Sequence, residues 1–211
     1  MDKTLTADDR AAVLHCAARL VPEAPPLTEA DLGPLMDGMR LRELARGEAL
    51  LRVGDAPVPE VFVLAGLLRS GLGDAQGREV TFDFHLGPGA LPPSVGRSAN
   101  GRSRVMVEAL SPARVVLFEA QALVGAMLRQ PAVQRWGDSV LRSELLRRAD
   151  REWALAALPA RERLVALRAR LPGLEDQVSH RHIASHLGIT PVSLSRLRAQ
   201  LRVEGTGPDP T

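Results

Sequence analysis

At 211 residues the chain has room for one large domain or two small ones, and its 45% hydrophobic content supplies a packed core and excludes global disorder. The formal charge is only +2, from 27 basic against 25 acidic residues, so net charge alone announces no nucleic-acid partner. A single cysteine, Cys16, excludes an intrachain disulfide and any four-cysteine metal or iron–sulfur site within one chain.

Aromatic residues make up 3% and tyrosine is absent, so the core rests on Leu, Val and Ala. Lys3 is the only lysine, and nearly all positive charge is arginine, the better group for bidentate contacts to phosphate and base edges. The opening MDKTLTADDR is acidic, and the stretch from Ala11 to Val21 is interrupted by His15 and Arg19. It reads as an amphipathic helix, not a signal peptide. No window approaches 18 uninterrupted apolar residues, so the expectation is a cytoplasmic protein without a membrane partner.

In chain order, residues 6–20 have helical spacing, and Pro22, Pro25 and Pro26 stop that helix. Thr28 is placed to cap a second short helix. From Leu41 to about Phe118 short alternating segments lie between turn signals such as Arg46-Gly47-Glu48, Gly54-Asp55, Ala65-Gly66 and Gln76-Gly77. The clearest strand is 78–86, where Val80, Phe82, Phe84 and Leu86 share one apolar face opposite Thr81, Asp83 and His85. Val61–Leu64, Val105–Val107 and Val115–Phe118 are further strands. Glu79, Asp83 and Glu108 are read as surface of this β domain. Pro131 opens a long helix running to about Leu158, whose apolar stripe is too long to bury alone. Its candidate dimer surface is Val133, Trp136, Val140, Leu141, Leu145 and Trp153. Pro159 breaks it, residues 160–170 form an arginine-rich helix, and Pro172-Gly173 end that one.

The most informative segment is VSHRHIASHLGITPVSLSRLRAQL, residues 178–201. Ser179 can cap a helix over His180–Leu187, and Gly188 supplies the left-handed conformation that ends it. Thr190 can cap the next helix, with Pro191 in its first position. Ala184, small and four residues before Gly188, lets the second helix approach, while Ile183, Leu187, Ile189, Leu194 and Leu197 build a small core. That spacing is the requirement of a DNA-reading helix-turn-helix. Thr190, Val192, Ser193, Ser195, Arg196, Arg198 and Arg202 then escape the core, with His180 and Arg181 nearby. Residues 177–202 hold four arginines and no acid. These are the candidate contacts to phosphates and base edges.

Several segments together resemble the family of the cyclic-AMP receptor protein and the fumarate–nitrate reduction regulator (CRP/FNR): RGEALLRVGD (46–55), VFVLAGLLRS (61–70), DAQGREVTFDFHLGPG (74–89), VEALSPARVVLF (107–118) and HIASHLGITPVSLSRLRAQL (182–201). The resemblance implies an α+β chain with an N-terminal antiparallel β-roll, a long dimerisation helix and a C-terminal winged helix-turn-helix. The expected division is a helical extension (1–27), the roll (28–128), the dimer helix (129–158), the helix-turn-helix (159–204) and a disordered tail (205–211). The resemblance further implies a homodimer on a two-fold symmetric DNA operator, working with RNA polymerase. It places the guanine-reading arginine at Arg196 and its neighbours at Val192, Ser193 and Ser195; Val192 stands where the family commonly has an acid. The segment past Arg202 is too short for a full wing.

The effector site departs further from the family pattern. Cyclic-nucleotide binders have Gly-Glu-Leu, then Arg-Ser-Ala; this chain has Gly89-Ala90-Leu91, and Arg102-Ser103-Arg104 resembles the Arg-Ser element. Fixing the register on Val107–Leu110 puts Ser103 at the arginine position. These six residues are the candidate effector loop, a cyclic nucleotide is disfavoured, and no cofactor is expected. His182 and His186 stand i, i+4, but without HExxH they are read as surface histidines, and haem at His85 is given little weight. No nucleophile elbow, Walker loop or catalytic carboxylate pair supports an enzyme. The competing reading is a small-molecule receptor or interaction module that no longer reads DNA.

Overall fold

The computed structural model describes residues 2–73 and 79–205. The expected turn at Gln76-Gly77, the first residue of the expected strand, Arg78, and the tail after Gly205 lie outside the described residues. The chain divides into two compact units. Unit 1 comprises Met1–Leu72 and Phe82–Ala149; unit 2 comprises Gly73–Thr81 and Asp150–Thr211.

Unit 1 opens with two capped helices, α1 (Ala7–Leu20) and α2 (Glu29–Asp37). Thr6 and Thr28 each form a reciprocal capping box with an aspartate three residues on: the threonine hydroxyl accepts from the aspartate amide, and the carboxylate accepts from the threonine amide. Each satisfies two backbone donors that a helix start otherwise leaves orphaned. A four-stranded sheet follows the order β1-β10-β3-β6, with β1 Arg40–Leu44, β3 Glu60–Ala65, β6 Gly89–Ala90 and β10 Ala113–Phe118. A second follows β2-β9-β4-β5, with β2 Ala49–Leu51, β4 Leu67–Gly73, β5 Glu79–Leu86 and β9 Met106–Ala109. A small hairpin pairs β7 (Ser98–Ala99) with β8 (Arg102–Ser103).

The apolar runs of β3 and β10 are explained by burial on both faces. Val61 and Val63 point into the core between the sheets, as do Val115 and Leu117. Phe62, Leu64, Val116 and Phe118 point the other way, into a second core with α1, α2, α3 (Ala120–Arg129) and the first turns of α4 (Pro131–Ala157). Val133 and Trp136 belong to this second core, and the Trp136 Nε1–H donates to the Ala17 carbonyl at 2.9 Å. Both were expected at a dimer surface. They instead anchor the start of α4 inside its own unit, because the aromatic outer face of β3 and β10 needs a cover.

Strand β5 runs with the opposite parity from the one its composition suggests. Thr81, Asp83 and His85 are buried, whereas Val80, Phe82 and Leu86 are exposed; of the apolar four only Phe84 is buried. The inward polar row is held by specific partners. His85 Nε2 lies 2.9 Å from the Ser70 hydroxyl, and Asp83 pairs with Arg147 of α4. Asp83 and Glu108 are therefore not free surface: Arg69, almost fully buried, bonds Glu108 at 2.5 Å from the neighbouring strand.

Unit 2 contains the end of α4, α5 (Ala160–Arg170), the short α6 (Leu174–Gln177), α7 (His180–His186) and α8 (Pro191–Gly205). Its core is Leu164, Leu167, Leu174, Val178, Ile183, Ala184, Leu187 and Leu194. Among the described residues no helix is long and apolar enough to cross a membrane.

Candidate nucleic-acid interface

Two capped helices and one left-handed glycine build the C-terminal hairpin. The Ser179 side chain accepts from the His182 amide at the start of α7, and the Thr190 hydroxyl accepts from the Ser193 amide at 3.1 Å at the start of α8. Between them Gly188 sits at φ +68°, the conformation that ends α7 and turns the chain. Ala184 and Leu194 are completely excluded from solvent, and the small Ala184 side chain lets α8 approach. The sequence expectation for caps, turn and small core matches this geometry.

The carbonyl end of α7 is held by arginines from two other helices. Arg151 of α4 donates to the His186 carbonyl at 3.0 Å, and Arg163 of α5 donates to that of Leu187 at 3.1 Å. Cations here satisfy orphan carbonyls and complement the helix dipole. On the side of α7, the Ser185 hydroxyl accepts from the Thr81 amide at 2.9 Å and donates to the Glu79 carbonyl at 3.2 Å. The Glu79 carboxylate lies 3.8 Å from His182 Nδ1. Sequence reasoning missed this docking of residues 79–81 on the hairpin; partners over a hundred positions apart leave no local signal.

The candidate contact residues do not share one environment. Thr190, Val192, Ser195, Arg196 and Arg202 are exposed, as are His180 and Arg181, and Ser193 is half-buried against the Thr190 cap. Arg196 makes no ion pair among the described residues. Arg198 departs from the expectation: its side chain is only 16% exposed, its Nε lies 3.1 Å from Glu175 Oε1, and it lies against the His180 ring. Glu175 of α6 also bonds Arg168 at 2.5 Å. The acid that neutralises this arginine lies just upstream of the acid-free stretch 177–202, so counting charges within the stretch could not reveal it.

The arrangement presents an exposed helix face with Val192, Ser195 and Arg196, the last without an ion pair among the described residues, on a capped two-helix base. Such a face can enter a duplex groove, with Arg196 donating to guanine O6 and N7.

No family model matches the chain, and no curated protein does. Solved structures do. FixK2 from Bradyrhizobium japonicum superposes with a TM-score of 0.67 at 24% identity, over 82% of this chain and 89% of that one. The c-di-GMP responsive global regulator CLP of Xanthomonas campestris gives 0.66 at 14%, over 87% and 96%. A transcriptional regulator of the CRP/FNR family from Eubacterium rectale gives 0.64 at 19%, over 85% of each chain. The chain has the CRP/FNR fold. The expected architecture of roll, long helix and helix-turn-helix is the observed one. At the point where a wing would begin, α8 continues to Gly205, where the described residues end.

Within the CRP/FNR fold of unit 1, the candidate effector loop is occupied by the chain itself. Gly89 and Ala90 pair with β3, and Leu91 is buried in the roll core. Arg102 donates to the Gly54 carbonyl at 2.9 Å. Ser103 is buried, with its amide on Asp55 and its hydroxyl on Val105, while Arg104 is exposed. The 102–104 segment thus braces the loop at 52–55 and does not converge on a phosphate position. Sequence reasoning missed the neighbouring Arg97-Ser98-Ala99, a literal Arg-Ser-Ala five residues earlier. Arg97 is 2% exposed; it donates to the carbonyls of Pro92 at 2.5 Å and Pro59 at 2.7 Å, and lies 3.7 Å from Glu60. Burial pushes its pKa down, against the pull of Glu60. From α4, Glu144 bonds Arg147 at 2.9 Å and Arg148 at 2.5 Å, and Arg148 also donates to the Gly96 carbonyl at 3.2 Å. Arg147 and Arg148 are thus committed to Glu144, whereas Arg97 is held by backbone carbonyls and its Nη1 is buried without a hydrogen-bond partner among the described residues.

Proposed function

We propose that the chain is a sequence-specific DNA-binding transcription regulator that acts as a homodimer, in the manner of CRP/FNR proteins. The observation that carries the reading is the α7–Gly188–α8 hairpin, closed by Ala184 and Leu194, which leaves Val192, Ser195 and Arg196 exposed on one helix. Rigid support matters because base readout requires side chains fixed to a fraction of an ångström. The α4 residues Leu141, Leu145, Leu146 and Trp153 are exposed, and a second copy would cover them. RNA polymerase is the further partner of this reading and the cytoplasm its compartment.

The reading includes no cyclic nucleotide and no catalytic activity. Ala90 stands where a nucleotide binder has its acid, and Arg147 already pairs with both Asp83 and Glu144. A signal, where one acts, must bind one dimer pose more tightly than the other.

Selection of duplexes from a random pool, followed by mobility-shift titration at several salt concentrations, tests the proposal. The expected result is one two-fold symmetric site, retained far above random duplex, with affinity falling steeply as salt rises. Equal retention of all duplexes, or none at low salt, overturns it.

A further inference from the structure

Unit 1 contains a cavity that the DNA-binding reading does not use. It measures about 160 Å³ and lies between the outer face of β3 and β6 and the helices α3 and α4. Three aromatic rings line it: Phe62, Phe118 and Trp136. The chain has only four phenylalanines and two tryptophans, so half of its aromatic rings meet at this one place. Phe62 and Phe118 stack with centroids 5.3 Å apart, and Trp136 is tilted 44° to Phe62 at 6.3 Å.

The polar groups at the wall are already satisfied. Glu60 accepts from the Ser94 amide at 3.0 Å and from its hydroxyl at 2.6 Å, with Arg97 3.7 Å away. The indole N–H of Trp136 is spent on Ala17. A charged or strongly hydrogen-bonding guest would lose its water and gain no partner. An apolar guest loses nothing. The size agrees: about 150 Å³ of space between apolar walls is enough for benzene.

We propose that this cavity is a binding site for a small, uncharged aromatic molecule of about one ring, held against Phe62, Phe118 and Trp136. Its mouth lies at Val95, Val124 and Leu141, exposed in the single chain; Leu141 is also part of the α4 stripe that a second copy would cover, which leaves Val95 and Val124 as the open side. The guest would pack on the first turns of α4, the part that Val133 and Trp136 anchor. The proposal concerns unit 1 alone and stands whether or not the C-terminal hairpin reads DNA.

The test uses the full-length chain with benzene as probe and benzoate as its charged counterpart. Benzene is expected to raise the thermal midpoint in a concentration-dependent way. Isotope-filtered NOEs are expected from its protons to the Met127 methyl and the Phe118 ring. Benzoate is expected to bind at least tenfold more weakly. Leu123→Phe, which fills part of the space, is expected to weaken benzene at least tenfold. The NOE experiment on the unmodified chain keeps the test decisive if that variant folds poorly. Absence of binding up to the aqueous solubility of benzene, NOEs to other residues, equal affinity for benzoate, or unchanged affinity in a folded Leu123→Phe protein overturns the proposal. So do NOEs, in a mixed-label sample, from a second copy's methyl groups to these rings, because the cavity would then be closed by the protein itself.

Discussion

Arg198 Nε lies 3.1 Å from Glu175 Oε1, while Arg196, two residues earlier on the same helix, is exposed and makes no ion pair among the described residues. Two residues along an α-helix turn the side chain by more than half a revolution, so one arginine closes the unit and the other is presented outward. Arg196→Ala is expected to cost about 1–3 kcal/mol at the selected operator and to relax preference at one base pair, with unfolding unchanged. Arg198→Ala is expected to cost about 1–3 kcal/mol of stability instead. Mobility-shift titration beside urea unfolding separates the two; a loss of operator affinity confined to Arg198→Ala would reverse the assignment.

Gly188 at φ +68° makes a second prediction. A Cβ there would meet Leu155 Cδ2 at 3.5 Å, an ordinary contact, so space is not what excludes a side chain. The backbone conformation is: a left-handed residue with a Cβ costs about 1–2 kcal/mol. Gly188→Ala is expected to lower stability by that amount, and Gly188→Asn by less, since Asn tolerates this region through local hydrogen bonding. Equal losses for the two in urea denaturation would show that crowding, not φ, sets the requirement.

The hairpin was legible in the sequence because its determinants are local. Caps, glycine and the Ala184-to-Leu194 spacing all lie within about twenty residues. The parity of β5 was not. Alternation reveals that two faces differ but not which one faces in, and here Ser70 and Arg147 make the polar face the buried one. Val133 and Trp136 misled in the same way, since an apolar stripe does not say whether its own chain or another covers it. Arg97-Ser98-Ala99 is legible as a string, but Arg102-Ser103-Arg104 offers a second Arg-Ser, and a register counted back from residues 107–110 ends at Ser103 and passes over Arg97.

Glu144 provides a pH signature. Burial pushes its carboxyl pKa up, but hydrogen bonds from Arg147 and Arg148 and their charges outweigh this and hold it below the usual glutamate value. A carboxyl whose folded pKa is depressed adds stability above its unfolded pKa, about 4.3, and that contribution is lost as pH falls through the folded value. Wild type is therefore expected to exceed Glu144→Gln in stability at pH 7, and the gap is expected to narrow progressively once pH falls below the unfolded value of about 4.3. Denaturant midpoints for both proteins from pH 7 to pH 3 check this. A constant gap across the range would mean that Glu144 acts through packing and not through charge.

Helix α4 carries two kinds of apolar residue, and they should respond differently to substitution. Val133 and Trp136 are core, so shortening either opens a cavity; Trp136→Ala is expected to cost about 3–5 kcal/mol of stability. Leu145 is 69% exposed and Trp153 61% exposed, so Leu145→Glu should hardly disturb the isolated fold. At a two-fold interface, however, each substitution enters twice, and near the axis the two new carboxylates would face each other without water. Leu145→Glu is accordingly expected to shift the protein from dimer to monomer in sedimentation at micromolar concentration. Its operator affinity should fall by at least tenfold, because one half-site then holds alone what two held jointly. A wild-type chain that already sediments as a monomer, or a Leu145→Glu protein that remains dimeric, would place the interface somewhere other than this stripe.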